Sequence, residues 1–338
     1  MLNPFKMITH VKLRLKQFKK QADESLQANA EFLDSGVWHV NESMTSFYKK
    51  GYKKKCSAEA SHLTLFILKN NLTDRSTRLA RKIFKATYRY KVVDDKKTFN
   101  GKVFLKSTTG RINRFIDYDE KQILLKYKHI IAMQKDVKQK QTWGEFFTTV
   151  PFRKIDYDNL FAIEDYIERK DCPTDKKFNL ILQDYIEFSK KQTSAVTEKH
   201  LLSEEEKSAI RAHFIKYERP TDGEMVIDYL DKNGYVQTLS HGDMSPLNAL
   251  FDGEKIYYID FENLNKRSIF YDLFQYLDWC KTYKNELLIN DYLEGKFDKE
   301  FTEISENYGL KFDKNCRKIY MDIYKTENRF LWTIRSKK

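Results

Sequence analysis

The segment from His241 to Glu262 constrains this chain more than any other. It reads His241-Gly242-Asp243-Met244-Ser245-Pro246-Leu247-Asn248, then Ala249-Leu250-Phe251, Asp252-Gly253, Ile256-Tyr257-Tyr258-Ile259 and Asp260-Phe261-Glu262. Two apolar runs flanking Asp-Gly predict a β-hairpin, because that dipeptide readily takes the backbone conformation of a tight turn. A loop of Asp252 and Gly253 alone sets Asn248 opposite Tyr257, whereas a four-residue loop through Lys255 sets it opposite Ile259, beside Asp260. The longer loop thus draws Asn248 and Asp260 to one end of the hairpin, and side-chain oxygens of this kind are what hard divalent cations take as ligands. Taken singly, His-Gly-Asp and Asp-Gly are ordinary turn chemistry; their order around one hairpin is the informative part.

The catalytic loop of protein kinases reads His-Arg-Asp, four residues, then Asn, with Asp-Phe-Gly downstream. Here Asp243 precedes Asn248 by the same interval, Gly242 stands for the Arg and Glu262 for the last Gly. In both departures the stretch resembles the aminoglycoside phosphotransferase and choline kinase-like family of the protein kinase-like superfamily, which reads His-Gly-Asp or His-Asn-Asp, then Asp-Phe-Glu. The resemblance is strong over residues 235–280 and weaker over the rest of 70–285. It implies an α+β, two-lobed protein kinase-like fold, with a small antiparallel-sheet amino lobe and a mainly helical carboxyl lobe. It also implies ATP and Mg2+ as cofactors. Asp243 would accept or orient the proton of the acceptor hydroxyl, Asn248 and Asp260 would hold magnesium, His241 would brace the loop and Asp272 would support it. Phosphoryl transfer spreads charge over the transferring oxygens, so positioning and charge neutralisation carry most of the catalysis.

The remaining chain is divided on this reading into a basic helical extension, 1–60, an amino lobe, 61–164, and a carboxyl lobe, 165–338. In the amino lobe, Ile83–Val93 and Lys102–Lys106 read as strands of a hairpin about the polar Asp94–Lys97 turn. Alternation in the second places Phe104 and Lys106 on one face and Val103 and Leu105 on the other. Lys106 is the candidate for the lysine that reaches the ATP phosphates, with Glu120, on a helix expected over Asp119–Tyr127, as its partner. No glycine-rich phosphate loop precedes Lys106, and Asp74–Arg78 occupies the place where one would lie. Phe104 is bulkier than the Ala of Val-Ala-Ile-Lys. Leu160–Ile167 reads as the connection that meets adenine through its backbone, with Asp165 and Ile167 as contacts. Helices are expected around Phe178, Leu182, Tyr185 and Ile186, around Phe270, Leu273, Phe274 and Leu277, and through much of Tyr283–Lys338. Tyr271, Tyr276 and Trp279 would cage a quaternary ammonium, or else serve as core aromatics.

Composition narrows the partners. Hydrophobic residues at 41%, with 21 Tyr and 24 Phe, exclude bulk disorder. Cys56, Cys172, Cys280 and Cys316 are dispersed without metal-ligand spacing, which points to a reducing cytoplasm rather than a zinc site or disulfide framework. No signal-peptide core or membrane-length apolar run is present. A net charge of +12 favours anionic partners, but no nucleic-acid motif accompanies it and none is expected as ligand. Val11, Leu15, Phe18 and Ala22 recur at helical spacing among Lys12, Arg14, Lys16, Lys19 and Lys20. That pattern suits peripheral contact with an anionic membrane at its inner face, or a stripe packed on the lobe. The expected activity is ATP- and Mg-dependent transfer of the γ-phosphoryl group to a hydroxyl of a small molecule or glycan (sugar, polyol, aminoalcohol or envelope polysaccharide). A protein acceptor is disfavoured by the short Asp260–Phe270 stretch and the missing Ala-Pro-Glu. The alternative is a pseudokinase-type scaffold of the same fold.

Overall fold

The basic amino-terminal stretch, expected as a separate extension, is built into a sheet. The computed structural model describes residues 4–41, 45–64, 75–93, 97–107, 111–191, 197–282 and 286–328. Elements α1 (Pro4–Gln27), β1 (Gly36–Val40), β2 (Ser46–Lys49), α2 (Lys53–Thr64), α3 (Arg75–Thr87), β3 (Tyr90–Val92), β4 (Val103–Leu105), β5 (Ile112–Asp117) and β6 (Gln122–Tyr127) precede α4 (Ile130–Gly144). After α4 come β7 (Phe152–Asp156) and β8 (Phe161–Asp165). The chain forms two units, Met1–Lys135 with Val150–Ile167, and Asp136–Thr149 with Glu168–Lys338.

The first unit holds an antiparallel sheet in the order β3-β1-β2-β4-β5-β6-β8-β7 among the described residues. β1 and β2, from the expected extension, are thus interior strands. One sheet face packs Trp38, Phe104, Phe115 and Leu124 against Val11, Phe18, Ala22, Ala80 and Phe84 of α1 and α3. Phe104 stacks between Phe47 and Phe115, at 5.2 and 4.7 Å between ring centroids. The other face packs Val103, Leu105 and Ile116 against Cys56 and Ala60 of α2. The alternation expected of β4 is therefore present. The apolar stripe of α1 is core, which removes it as a membrane-facing surface.

Three stretches differ from expectation. Ile83 to Thr87 belongs to α3 rather than a strand, because Thr77, Ala80, Phe84 and Tyr88 bury at helical intervals. β3 consequently pairs with β1 and not with the Lys102–Lys106 strand. Arg75–Arg78 forms the first turn of α3 instead of a phosphate loop, and Asp74 lies outside the described residues. The expected helix over Asp119–Tyr127 is the β5–β6 hairpin, with Asp117 opposite Gln122. The Asp117 side chain accepts the Asp119 N–H at 3.0 Å, and Lys121 takes φ 50°, which closes the turn. Leu124 and Leu125 are buried on opposite faces of the sheet, so no alternation marked this strand.

The second unit is mainly helical: α5 (Thr174–Lys190), β9 (Thr197–His200), α6 (Glu204–Lys216), α7 (Pro220–Asn233), β10 (Tyr235–Ser240), β11 (Ala249–Phe251), β12 (Ile256–Tyr258), β13 (Asn265–Ser268) and α8 (Tyr271–Thr282), then α9 (Leu287–Leu293), α10 (Asp298–Asn307) and α11 (Arg317–Thr326). Of the expected helical stretch Tyr283–Lys338, residues 283–285 and 329–338 lie outside the described residues. β10 is the middle strand of β13-β10-β9, while β11 and β12 form a separate hairpin. Phe178, Leu182, Tyr185 and Ile186 of α5 and Leu273, Phe274 and Leu277 of α8 share one core. Tyr271 and Tyr276 are buried in it, so they do not form an accessible ammonium cage with Trp279.

Candidate active site

Strand β10, buried along its whole length, delivers the chain into His241. The turn that follows is organised by Asp272 in the first turn of α8. Its carboxylate accepts four hydrogen bonds: Ser240 Oγ at 2.9 Å, the His241 and Gly242 N–H groups at 2.8 and 2.9 Å, and the Tyr185 hydroxyl at 2.7 Å. Gln275, one turn on, accepts the Met244 N–H and donates to Gly242 O at 3.2 Å. Gly242 sits at φ +75°, where a Cβ would lie 2.2 Å from Arg267 Nη1 and 2.4 Å from Asn263 O. A side chain there would have to displace Arg267 and the Asn263 carbonyl. Buried Arg267 uses that space to bond Asn263 O at 3.0 Å and lies over the Tyr271 ring at 4.8 Å.

His241 joins the two halves of the motif. Its Nδ1 accepts the Asp243 N–H at 3.3 Å, so Nε2 carries the proton donated to Ile259 O at 2.9 Å. Burial pushes the imidazole pKa down and favours this neutral form. The hairpin has the four-residue loop: Phe251 faces Ile256, Ala249 faces Tyr258, and the Ile259 N–H donates to Asn248 O at 3.0 Å. Asn248 therefore stands opposite Ile259, beside Asp260. Asn248 Nδ2 donates to Asp243 O at 2.8 Å and Asp243 Oδ2 at 3.1 Å, leaving its Oδ1 as a donor atom for a cation. Asp260 is exposed and adopts φ 69°, a left-handed conformation that costs a non-glycine residue about 1–2 kcal/mol.

Burial, and next the charge of Asp260, push the Asp243 pKa up. Neither carboxylate has a lysine or arginine ion-pair partner among the described residues. No cluster of three His, Cys, Asp or Glu side chains arranged for an ion occurs there either; the oxygen donors that Asn248 and Asp260 offer are an amide oxygen and a carboxylate. Uncompensated negative charge on all-oxygen donors fits a hard cation such as magnesium.

Beyond the motif, two cations hold the loop's carboxyl half. Lys177 Nζ donates to Pro246 O at 2.7 Å and Arg169 Nη2 to Leu247 O at 2.8 Å, on the two carbonyls just before Asn248. Lys177 is buried, and desolvation, followed by the Arg169 charge, lowers its pKa to about 8. Between pH 8 and 10.5 the unfolded chain keeps this proton while the folded chain has lost it, so Lys177 makes stability rise with pH across that window. The rise is expected to reach about 3 kcal/mol. Lys177→Met should flatten it; urea unfolding of both proteins across the window gives the difference, and parallel profiles would refute the assignment.

Other sequence-derived candidates are placed differently. Lys106 follows β4 and donates to Ser25 Oγ at 3.1 Å, while Glu120 is exposed in the β5–β6 turn. Leu105 pairs with Arg114 and Glu120 follows Asp117, so the two lie toward opposite ends of β5 and form no ion pair. The cation at the Glu120 end is Lys102, which bonds Asp34 at 3.0 Å and Asp119 at 3.1 Å. Asp165 pairs with Arg153 and gives its N–H to Pro151 O at 3.3 Å. Ile167 is half-buried and directly follows the sheet.

Lys126, in Ile123-Leu124-Leu125-Lys126 of β6, lies on the strand that leads into α4. Its Nζ donates to Asn159 O at 2.7 Å and lies 5.3 Å from the Phe32 ring centroid.

No family model matches the chain, and no curated protein matches it. Among solved structures, it is similar to a putative aminoglycoside phosphotransferase from Ralstonia eutropha, at 9% identity and TM-score 0.43 over 66% of this chain and 78% of that one. It is similar to an aminoglycoside phosphotransferase from Streptomyces rimosus in complex with ADP and streptomycin, at 11% identity and TM-score 0.40 over 67% and 92%. A choline kinase from Streptococcus pneumoniae gives 15% identity and TM-score 0.37 over 66% and 91%.

Proposed function

We propose that this protein is an ATP- and magnesium-dependent phosphotransferase that phosphorylates a hydroxyl of a small molecule or glycan. One observation carries the reading: the His241–Asp260 hairpin sets Asn248 beside Asp260 and bonds Asn248 to Asp243. Asp243 orients the acceptor hydroxyl and takes its proton as the oxygen–phosphorus bond forms and the bond to the β,γ-bridging oxygen breaks, releasing ADP. Its raised pKa suits it to hold that proton. Asn248 and Asp260 would hold magnesium, which supplies charge neutralisation at the phosphates when bound. Asp272 and His241 keep these groups in register.

Ile167 remains a proposed adenine contact, whereas the Asp165 N–H is already taken by Pro151 O. Acceptor classes to screen are sugars, polyols, aminoalcohols and envelope polysaccharides.

Titration calorimetry of Mg-ATP into the wild-type protein and Asp260→Ala tests the reading. Metal-dependent binding is expected in the first and a loss of at least about tenfold in the second. No binding by wild type at millimolar nucleotide would overturn the enzyme and leave the scaffold.

A further inference from the structure

Residues 1–22 and 75–93 contain 13 of the 61 lysines and arginines and none of the 49 acids, leaving 48 cations against 49 anions elsewhere. The positive excess of the chain is thus concentrated in these two stretches, which hold most of α1 and all of α3 and β3. These two helices pack together over one sheet face, burying Val11, Phe18, Ala22, Ala80 and Phe84. Their outward sides expose Lys12, Arg14, Lys16, Lys19, Arg78 and Lys82. Among these cations stand exposed aliphatic side chains: Ile8 at 51%, Leu13 at 55%, Leu79 at 42% and Ile83 at 37%. Leu79 and Ile83 are four residues apart on α3, so they share a stripe distinct from the buried Ala80–Phe84 stripe, with Arg78 and Lys82 alongside.

We infer that the outward face of α1 and α3 docks on an anionic lipid bilayer, with Leu79, Ile83 and Leu13 entering the acyl boundary and the surrounding lysines and arginines meeting lipid phosphates. Amphipathic surfaces of this composition bind through apolar burial together with attraction to acidic headgroups. The partner follows from the chemistry of the face. A nucleic acid would use the cations, but exposed aliphatic groups gain little against phosphodiesters, and among the described side chains of α1 and α3 no aromatic is found with the exposed large hydrophobics. A second copy of this chain would bring like charge against like. An acidic bilayer satisfies both components at once. This docking differs from a membrane-bound α1 stripe, which is core, and is independent of the phosphotransferase reading.

Co-sedimentation of the full chain with vesicles tests the inference, comparing pure phosphatidylcholine with mixtures containing one third phosphatidylglycerol. Binding only to the anionic vesicles is expected, weakening as salt is raised. Leu79→Ser/Ile83→Ser and Lys12→Gln/Lys16→Gln/Lys82→Gln should each weaken it by about tenfold or more, with unchanged melting temperatures. All five side chains are exposed, so both variants should fold. Failure of wild type to sediment, equal binding to neutral vesicles, or unimpaired binding by both variants would overturn the inference. So would tighter capture of duplex DNA or polyglutamate than of the anionic vesicles.

Discussion

Asp243→Asn is expected to fold normally, to bind Mg-ATP, and to transfer the phosphoryl group about a thousandfold more slowly. The substitution keeps an oxygen that can accept from Asn248 Nδ2, so the loop retains the contact seen at 3.1 Å. What it removes is the negative charge and the basic lone pair. Orientation and charge neutralisation elsewhere in the site would leave residual rate, as happens when one member of a catalytic group is deleted. Single-turnover ADP formation, measured beside circular dichroism and nucleotide titration, separates these effects. A variant that hydrolyses or transfers at the wild-type rate would remove Asp243 from the chemistry.

Asp272→Asn is expected to cost about 3–5 kcal/mol of folding stability and to reduce transfer as well. The native carboxylate is buried and receives four donors, three of them from the Ser240–Gly242 turn. An amide of the same shape offers one acceptor oxygen and turns its NH2 toward the remaining donors, so polar groups are left unpaired in a site with no solvent to replace the bonds. The turn would then lose its register, and His241, which reaches Ile259 O, would lose its alignment with the Asp260 side of the hairpin. Denaturant unfolding reads the first effect and the Asp243-dependent turnover the second. A loss of stability below about 1 kcal/mol would show that Asp272 is dispensable to the turn.

The hairpin was readable because its determinants are local. Apolar runs on both sides of Asp252-Gly253 require only short-range pairing, and the choice between the two- and four-residue loops was the one point left for the structure. Helices α5 and α8 were readable for a similar reason, since each has an apolar stripe facing a core. The amino-terminal unit was harder. Asp119–Tyr127 contains Glu120, Leu124 and Tyr127 at helical spacing, yet it pairs with Ile112–Asp117 and is buried on both faces, where neither period survives. In Ile83–Val93 β-branched and aromatic residues suggested a strand, but Ala80 and Phe84 find α1, and tertiary burial decided for the helix.

What the sequence by itself determined is the chemistry of the candidate site and its local order: Asp243, Asn248 and Asp260 lie within 18 residues, and one turn brings them together. Only the tertiary structure decided what holds them there. Asp272 acts across 30 residues, while Lys177 and Arg169 reach loop carbonyls 69 and 78 residues away. It likewise placed β1 and β2 within the sheet and packed α1 on one of its faces. Turn conformations depend on neighbouring residues and leave a mark in the sequence. Long-range hydrogen bonds and sheet order depend on which buried surfaces meet, and isolated lysines, glutamines and aspartates carry no pattern that announces it.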